Sequence, residues 1–259
     1  PNGNGAGARW DRDGLDAAGF VFCAIGEYID SEQFEEDYPL LPIYRSRFWK
    51  DGHGFGKHRG GRSMHVAWRV HNVPQTIALS LSGFSYRPIT GGLYGGYANR
   101  PNGIVFIQGN NWDEVAEDGR APSNFQELME TVEGDTTVEH VYGWPHVMNE
   151  GDIVAAFTPS APGYGDVLER DPEDVMRDLK EESITHFTAR EVYKVIYDPE
   201  SFFVDFDATV AARAAERSDR LARSKPTPEF LEEWSKLRPA DEALGYFGTW
   251  PDALPVAPG

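Results

Sequence analysis

Seven cationic side chains, Arg45, Arg47, Lys50, Lys57, Arg59, Arg62 and Arg69, lie within residues 45–71 against a single acid, Asp51. Four of the seven histidines, His53, His58, His65 and His71, lie in the same stretch. Guanidinium and ammonium groups hold carboxylates and phosphates through charge-assisted hydrogen bonds, and histidine moves protons near neutral pH. His65 and Arg69 are therefore the candidate catalytic residues, and Lys57, Arg59 and His71 the candidates for binding a substrate or another anion. The competing reading makes the histidines satisfied polar residues of a strand and its loop. No two of the four have the i, i+4 spacing of a zinc-binding helix and Asp51 is the only carboxylate among them, so no metal ligand is assigned to this chain.

Residues 51–61 contain five glycines in eleven positions, which requires a loop. A nucleotide-binding loop of the form G-x-x-x-x-G-K-[ST] is not formed: Asp51 stands at the first glycine and His58 where Ser or Thr would meet magnesium. The loop also leads into a strand, so no helix N-terminus is presented to a phosphate. Nucleophile motifs are missing as well. Ser85 lacks the second glycine of a nucleophile elbow, and Cys23 sits in an apolar stretch that suits a buried thiol. Glu139 with His140, and His146 with Glu150, have the residue types for acid and base work, but such neighbours arise by chance in an acidic region.

The elements that must position these residues are strands first and helices later. From Ser63 to His71, Met64, Val66, Trp68 and Val70 alternate with His65, Ala67, Arg69 and His71, the period of a half-buried strand whose second face carries the candidate residues. Further strands are expected at 43–49, 76–82 with Ile77 inward, 103–108, 136–142 and 152–158. Helices are expected at 32–37, at 124–131 with Ser123 opening a capping box, after Asp171-Pro172, from Thr188, over 208–224 and from Thr227. A hairpin is expected over 193–205, and an extended tail after Gly245. The fold class is α+β: a β-rich mixed core in residues 1–165, then a helical and hairpin region in 166–259.

The 259 residues carry 24 Lys+Arg and 42 Asp+Glu, a net charge of −18, and 40% are hydrophobic, the composition of a globular chain. A surface this acidic excludes nucleic acid and disfavours anionic membranes as partners. No apolar run approaches the roughly 20 residues that cross a bilayer, no signal peptide is visible, and the single cysteine forms no internal disulfide, so a cytoplasmic location is expected. The charge is unevenly spread: residues 1–110 hold 11 basic and 10 acidic side chains, and residues 111–259 hold 13 and 32.

Several strings, in order, resemble the hydantoinase B/oxoprolinase family. They are Gly3 to Arg9 followed by Asp11-Arg12-Asp13-Gly14, Tyr38-Pro39-Leu40, Gly56-Lys57-His58-Arg59-Gly60-Gly61, Gly92-Leu93-Tyr94-Gly95-Gly96, and Gly163-Tyr164-Gly165-Asp166-Val167-Leu168-Glu169-Arg170-Asp171-Pro172. Ala189-Arg190-Glu191-Val192-Tyr193 belongs to the same family resemblance, while Val195-Ile196-Tyr197-Asp198-Pro199-Glu200, the Arg-rich helix, Lys225-Pro226, Glu229-Phe230 and the closing Tyr246-Phe247-Gly248-Thr249-Trp250-Pro251-Asp252 are similar to its ATP-dependent ketone carboxylase branch, the acetone and acetophenone carboxylases. Pro159-Ser160-Ala161-Pro162 departs from the glycines the family has before G-Y-G-D. The resemblance implies the C-terminal half of a family subunit, inactive alone, in a hetero-oligomer. ATP and a divalent metal are then expected on partner chains: a hydantoinase A-like subunit that phosphorylates the substrate, and a separate N-terminal hydantoinase B-like half. An ATP-dependent cyclic amidase subunit, acting on hydantoins, oxoproline or lactams, and a purely structural assembly subunit are the alternatives.

Overall fold

A computed structural model describes residues 3–18, 35–78, 90–139 and 145–237. Cys23, Ser85, His140 and the tail after Gly245 lie outside the described residues, as do residues 32–34 of the first expected helix and the end of the 76–82 strand. Seven strands are present among the described residues: β1 (Leu40–Phe48), β2 (Met64–Val70), β3 (Gln75–Ala78), β4 (Gly103–Gln108), β5 (Asp135–Glu139), β6 (His146–Asn149) and β7 (Ile153–Phe157). Five form an antiparallel sheet in the order β1-β2-β7-β4-β5, and β3 and β6 form a separate antiparallel pair.

The sheet is covered on both faces, so alternation in β2 separates two cores and not a core from solvent. Ala67, Val105, Ile107, Ala155 and Phe157 project to one face, where Val115 of α1 (Trp112–Glu117) and Leu128 of α2 (Phe125–Thr131) cover them. Val70 and Phe106 project to the other face and meet Met148 of β6. The face of β2 expected to carry polar residues to a ligand is thus the helix-covered core. Two register irregularities in β1, between Pro42 and Tyr44 and between Tyr44 and Arg47, bring Tyr44 into that same core.

Local chemistry explains where elements start and where expectation and structure part. Asn124, not Ser123, caps α2: its side chain accepts from Glu127 N at 3.0 Å, and Glu127 returns the bond by accepting from Ser123 N at 2.8 Å. Asp171 caps α3 (Pro172–Lys180) with proline at its first position, as its sequence predicts. The helical turn expected to open at Thr188 is a π-helical turn over Thr188–Val192, and Thr185 Oγ1, three residues upstream, accepts from Thr188 N at 3.2 Å. The hairpin expected over 193–205 reduces to a single bridge, Tyr197 with Val204, because Asp198 draws the chain into a tight turn by accepting from Glu200 N and Ser201 N. Ile77 is exposed, opposite Val147 on the outer face of the β3–β6 pair; the one-residue parity of a strand decides this, and only pairing sets it.

The C-terminal region is helical. A second core of Val167, Leu168, Val175, Met176, Leu179, Ile184, Tyr193 and Val195 forms around α3 and the π-helical turn. The helix α4 (Phe206–Ala222) follows, then α5 (Thr227–Trp234). By contacts the chain divides into Pro1–Arg213 and Ala214–Gly259. In the second unit Leu221, Phe230, Leu231, Trp234 and Leu237 are all exposed.

Candidate functional site

The glycine loop is closed on itself and on its neighbours. Its amides donate to backbone carbonyls: Gly54 N to Ala161 O, Lys57 N to Gly165 O, His58 N to Tyr164 O, Gly60 N to Gly54 O and Gly61 N to Ala6 O. An amide committed in this way cannot cradle a phosphate. The glycines allow backbone to lie against backbone. A Cβ on Gly60 would fall 1.9 Å from Ala161 O, and one on Gly61 1.9 Å from Leu15 O. Residues 3–18, 51–61, 91–96 and 160–170 are therefore interleaved, and the loop residues do not fit ATP.

An ionic hub fastens these segments. Arg170, fully buried, donates through both terminal nitrogens to Asp13 at 2.7 and 2.8 Å and to Asp178 at 2.7 Å. Arg59 donates from Nε to Asp178 at 3.1 Å and from Nη1 to Asp16 at 2.8 Å. Arg62 donates to Asp16 at 2.8 and 2.9 Å and to Ser183 Oγ at 2.6 Å. Three guanidinium groups thus meet three carboxylates, with no charge left over. Burial acts to raise the Asp16 pKa, yet hydrogen bonds from Arg59 and Arg62 hold it at about 2. Beside the hub, His53 is neutral: burial, then the charges of Arg59 and Arg170, push its pKa down to about 3.

Next to the hub, a cleft of about 640 Å³ opens between the end of β1, α2 and the turn after α3, lined by Arg47, Trp49, Lys50, His65, Phe125 and Glu182 among others. Its rim near Lys50 is built on two left-handed residues, Asp51 (φ 55°) and Glu182 (φ 56°). They are held reciprocally. Asp51 N donates to Ser183 O and Asp51 Oδ1 accepts from Thr185 N, both at 2.9 Å. Backbone strain of this kind persists only where its surroundings fix it, as at ligand sites.

The five expected site residues are dispersed. His65 alone lines the cleft, 2% exposed, its pKa lowered to about 4 by burial. Arg59 is a hub residue. Arg69 bonds Asp113 of α1 at 2.9 Å and so ties β2 to a helix. Lys57 and His71 are exposed. His146 takes a partner other than Glu150: its Nε2 lies 2.8 Å from Glu139 Oε1 and its ring stacks on Phe106 at 4.0 Å. Sequence reasoning passed over Tyr44, Trp49 and Arg100, which surround His65, because no local motif joins positions so far apart. Asp13 and Arg170 had a signal, since both fall in strings quoted for the family resemblance. Among the described residues no group of three His, Cys, Asp or Glu side chains is placed to hold a metal ion, and no helix is long and apolar enough to cross a membrane.

Residues 1–167, which hold the sheet, the glycine loop and every charged member of the ionic hub except Arg170 and Asp178, match the family model of hydantoinase B/oxoprolinase, and the chain belongs to that family. Among its relatives, the acetophenone carboxylase delta subunit of Aromatoleum aromaticum is 36% identical over 262 residues, covering 99% of this chain and 38% of that protein. The nucleotide-free structure of acetone carboxylase superposes with a TM-score of 0.73 at 25% identity, over 89% of this chain and 32% of that one. The ATP-dependent caprolactamase from Pseudomonas jessenii shares the fold, with a TM-score of 0.60 at 23% identity, over 82% of this chain and 32% of that one. The chain thus spans about a third of the length of these relatives.

Proposed function

We propose that the chain is a non-autonomous part of an ATP-dependent ketone carboxylase complex of the acetone and acetophenone type. The observation that carries this reading is the 36% identity to an acetophenone carboxylase subunit along 99% of the chain. On this reading the chain contributes part of the cavity that receives the phosphorylated enol, with His65 at its floor, while Arg59 and Arg69 hold the surrounding elements in place. Lys57 and His71 stand at the surface, where an adjoining chain reaches them. ATP and a divalent metal belong to partner chains, a hydantoinase A-like subunit and an N-terminal hydantoinase B-like half, in a hetero-oligomer of the cytoplasm. The closed amides of the glycine loop support ATP binding elsewhere.

The test is co-purification followed by assay: the complex should fix bicarbonate in proportion to added ketone and ATP. Absence of fixation with both aliphatic and aromatic ketones overturns the reading. The caprolactamase likeness favours a second reading, a subunit of an ATP-dependent cyclic amidase. Ring-opened product from a lactam without bicarbonate demand would establish it.

A further inference from the structure

Three buried polar atoms around His65 have no hydrogen-bonding partner among the described residues: the Tyr44 hydroxyl, His65 Nδ1 and Arg100 Nη1. They belong to one cluster. The Tyr44 and His65 rings meet edge to face at 5.3 Å, Trp49 lies 5.5 Å from His65, and the Arg100 guanidinium carbon lies 2.9 Å from the Trp49 ring centroid and 4.5 Å from that of Phe157. Arg59, Arg62, Arg69 and Arg170 each meet a carboxylate, whereas among the described residues the guanidinium of Arg100 meets aromatic faces, those of Trp49 and Phe157. A desolvated cation is attracted to the electron-rich face of an aromatic ring. That interaction satisfies no N–H, and an enclosed donor without an acceptor is destabilising.

The donors and acceptor can be assigned. His65 Nε2 lies 3.3 Å from the Phe48 carbonyl oxygen, which only accepts, so Nε2 carries the ring proton and Nδ1 presents a lone pair. Burial, with added repulsion from Arg100 and Arg47, keeps the ring neutral against the pull of the Phe48 carbonyl. Burial also raises the Tyr44 pKa, so its hydroxyl keeps its proton and can donate. The cluster therefore offers a cationic donor, a neutral donor and a neutral acceptor. Trp49 and His65 line both the cluster and the 640 Å³ cleft, which makes the two contiguous.

We propose that this cluster binds a small oxyanion that still carries a proton, of the hydrogencarbonate or hydrogenphosphate type. Its charged oxygens accept from Arg100 and Tyr44, and its hydroxyl donates to His65 Nδ1. A carboxylate such as acetate has no hydroxyl and sets its lone pairs against that of Nδ1, so it binds more weakly. No bond is made or broken in this step. The site is argued from this chain's own geometry and stands whether or not the carboxylase reading does.

The experiment is thermal unfolding of the full chain near neutral pH in chloride, with hydrogencarbonate, phosphate or acetate added at constant ionic strength. At least one of the two protonated oxyanions should raise Tm saturably, as a ligand of the folded state does, with a Kd about tenfold or more below that of acetate, the difference one hydrogen bond to a charged group makes. The tighter of the two identifies the ligand. Arg100→Met should abolish the response, and in chloride alone it should unfold at the same temperature as the parent chain or higher, because an unpaired buried charge has gone. His65→Phe, the second variant, should erase the preference over acetate while keeping the Arg100-dependent response. Flat titrations with both protonated oxyanions overturn the proposal. So does an Arg100→Met chain that loses stability in chloride but still responds, which would make Arg100 a brace for Trp49. Acetate binding as tightly as the protonated oxyanions overturns the role given to His65.

Discussion

The ionic hub and the aromatic cluster around Arg100 each draw on the stretch that runs from the glycine loop into β2, through Arg59 and Arg62 in one and His65 in the other, and they treat buried charge in opposite ways. In the hub, Arg59, Arg62 and Arg170 find Asp13, Asp16 and Asp178, and each guanidinium donates to at least one carboxylate at 3.1 Å or less. In the cluster, a guanidinium, an imidazole and a phenol are enclosed, each with an atom that has no hydrogen-bonding partner among the described residues. Buried charges matched one for one fix segments to each other, and Arg170 Nε is the hub nitrogen left without a hydrogen-bonding partner among the described residues. An unmatched set lowers stability and keeps its capacity for binding, which is the usual trade at functional sites. The most basic segment of the sequence therefore gives Arg59 and Arg62 to the hub and Trp49 and His65 to the cluster, whose own cation, Arg100, comes from outside it.

Four substitutions or titrations break or sharpen this contrast. Arg170→Met strands Asp13 and Asp178 in the interior and should cost about 3–5 kcal/mol, as removal of one partner of a buried pair does; denaturant unfolding measures it. If Arg170→Met and Arg100→Met cost the same, the contrast fails. Gly60→Ala places a Cβ 1.9 Å from a backbone carbonyl oxygen that cannot swing away, so a loss of about 1–3 kcal/mol is expected. A loss well under 1 kcal/mol would show that the loop has room and is not closed.

Acid provides a graded test. His53 and His65 have folded pKa values of about 3 and about 4, below their ordinary 6.5, so the unfolded chain takes up protons first as pH falls. The stability these two groups contribute is fully present above pH 6.5, declines as pH falls below that value, and is lost by about 4 for His65 and about 3 for His53. Asp16, held at about 2 against an ordinary 3.8, adds a further loss between those values. His53→Gln should flatten the upper part of this decline in a plot of unfolding midpoint against pH; an unchanged slope would mean that His53 is not held neutral. The smallest effect belongs to Asp113→Asn. Asp113 is 76% exposed, and its bond to Arg69 should contribute no more than about 1 kcal/mol, reduced further by salt. A larger loss would place Arg69 with the hub and not at the surface.

Several elements were legible along the chain because their causes are local. Asp171-Pro172 marks the start of α3 by itself, and the alternation in residues 63–71 marks β2. The cap of α2 was displaced by one residue because Asn124 competes with Ser123 for the same backbone amides, and only the extended backbone of Asn124 decides between them. The hairpin at 193–205 was overextended because aromatic and β-branched residues favour strands, while the turn at Asp198 and the core around Tyr193 claim them instead. His65 was legible as a candidate. Its neighbours were not: Tyr44, Trp49 and Arg100 stand 21, 16 and 35 positions away, and nothing periodic connects them.

The sequence alone determined the family, the α+β class, the unsuitability of the glycine loop for nucleotide, and the concentration of basic residues in 45–71. Each of these depends on residue type and short-range order, which survive without coordinates. Only the tertiary structure decided which cations are spent. A guanidinium is equally basic wherever it stands in a chain, and whether it meets Asp13, Asp16 or the face of Trp49 depends on which distant segments the sheet and the glycines bring within about 3 Å, the range of a hydrogen bond.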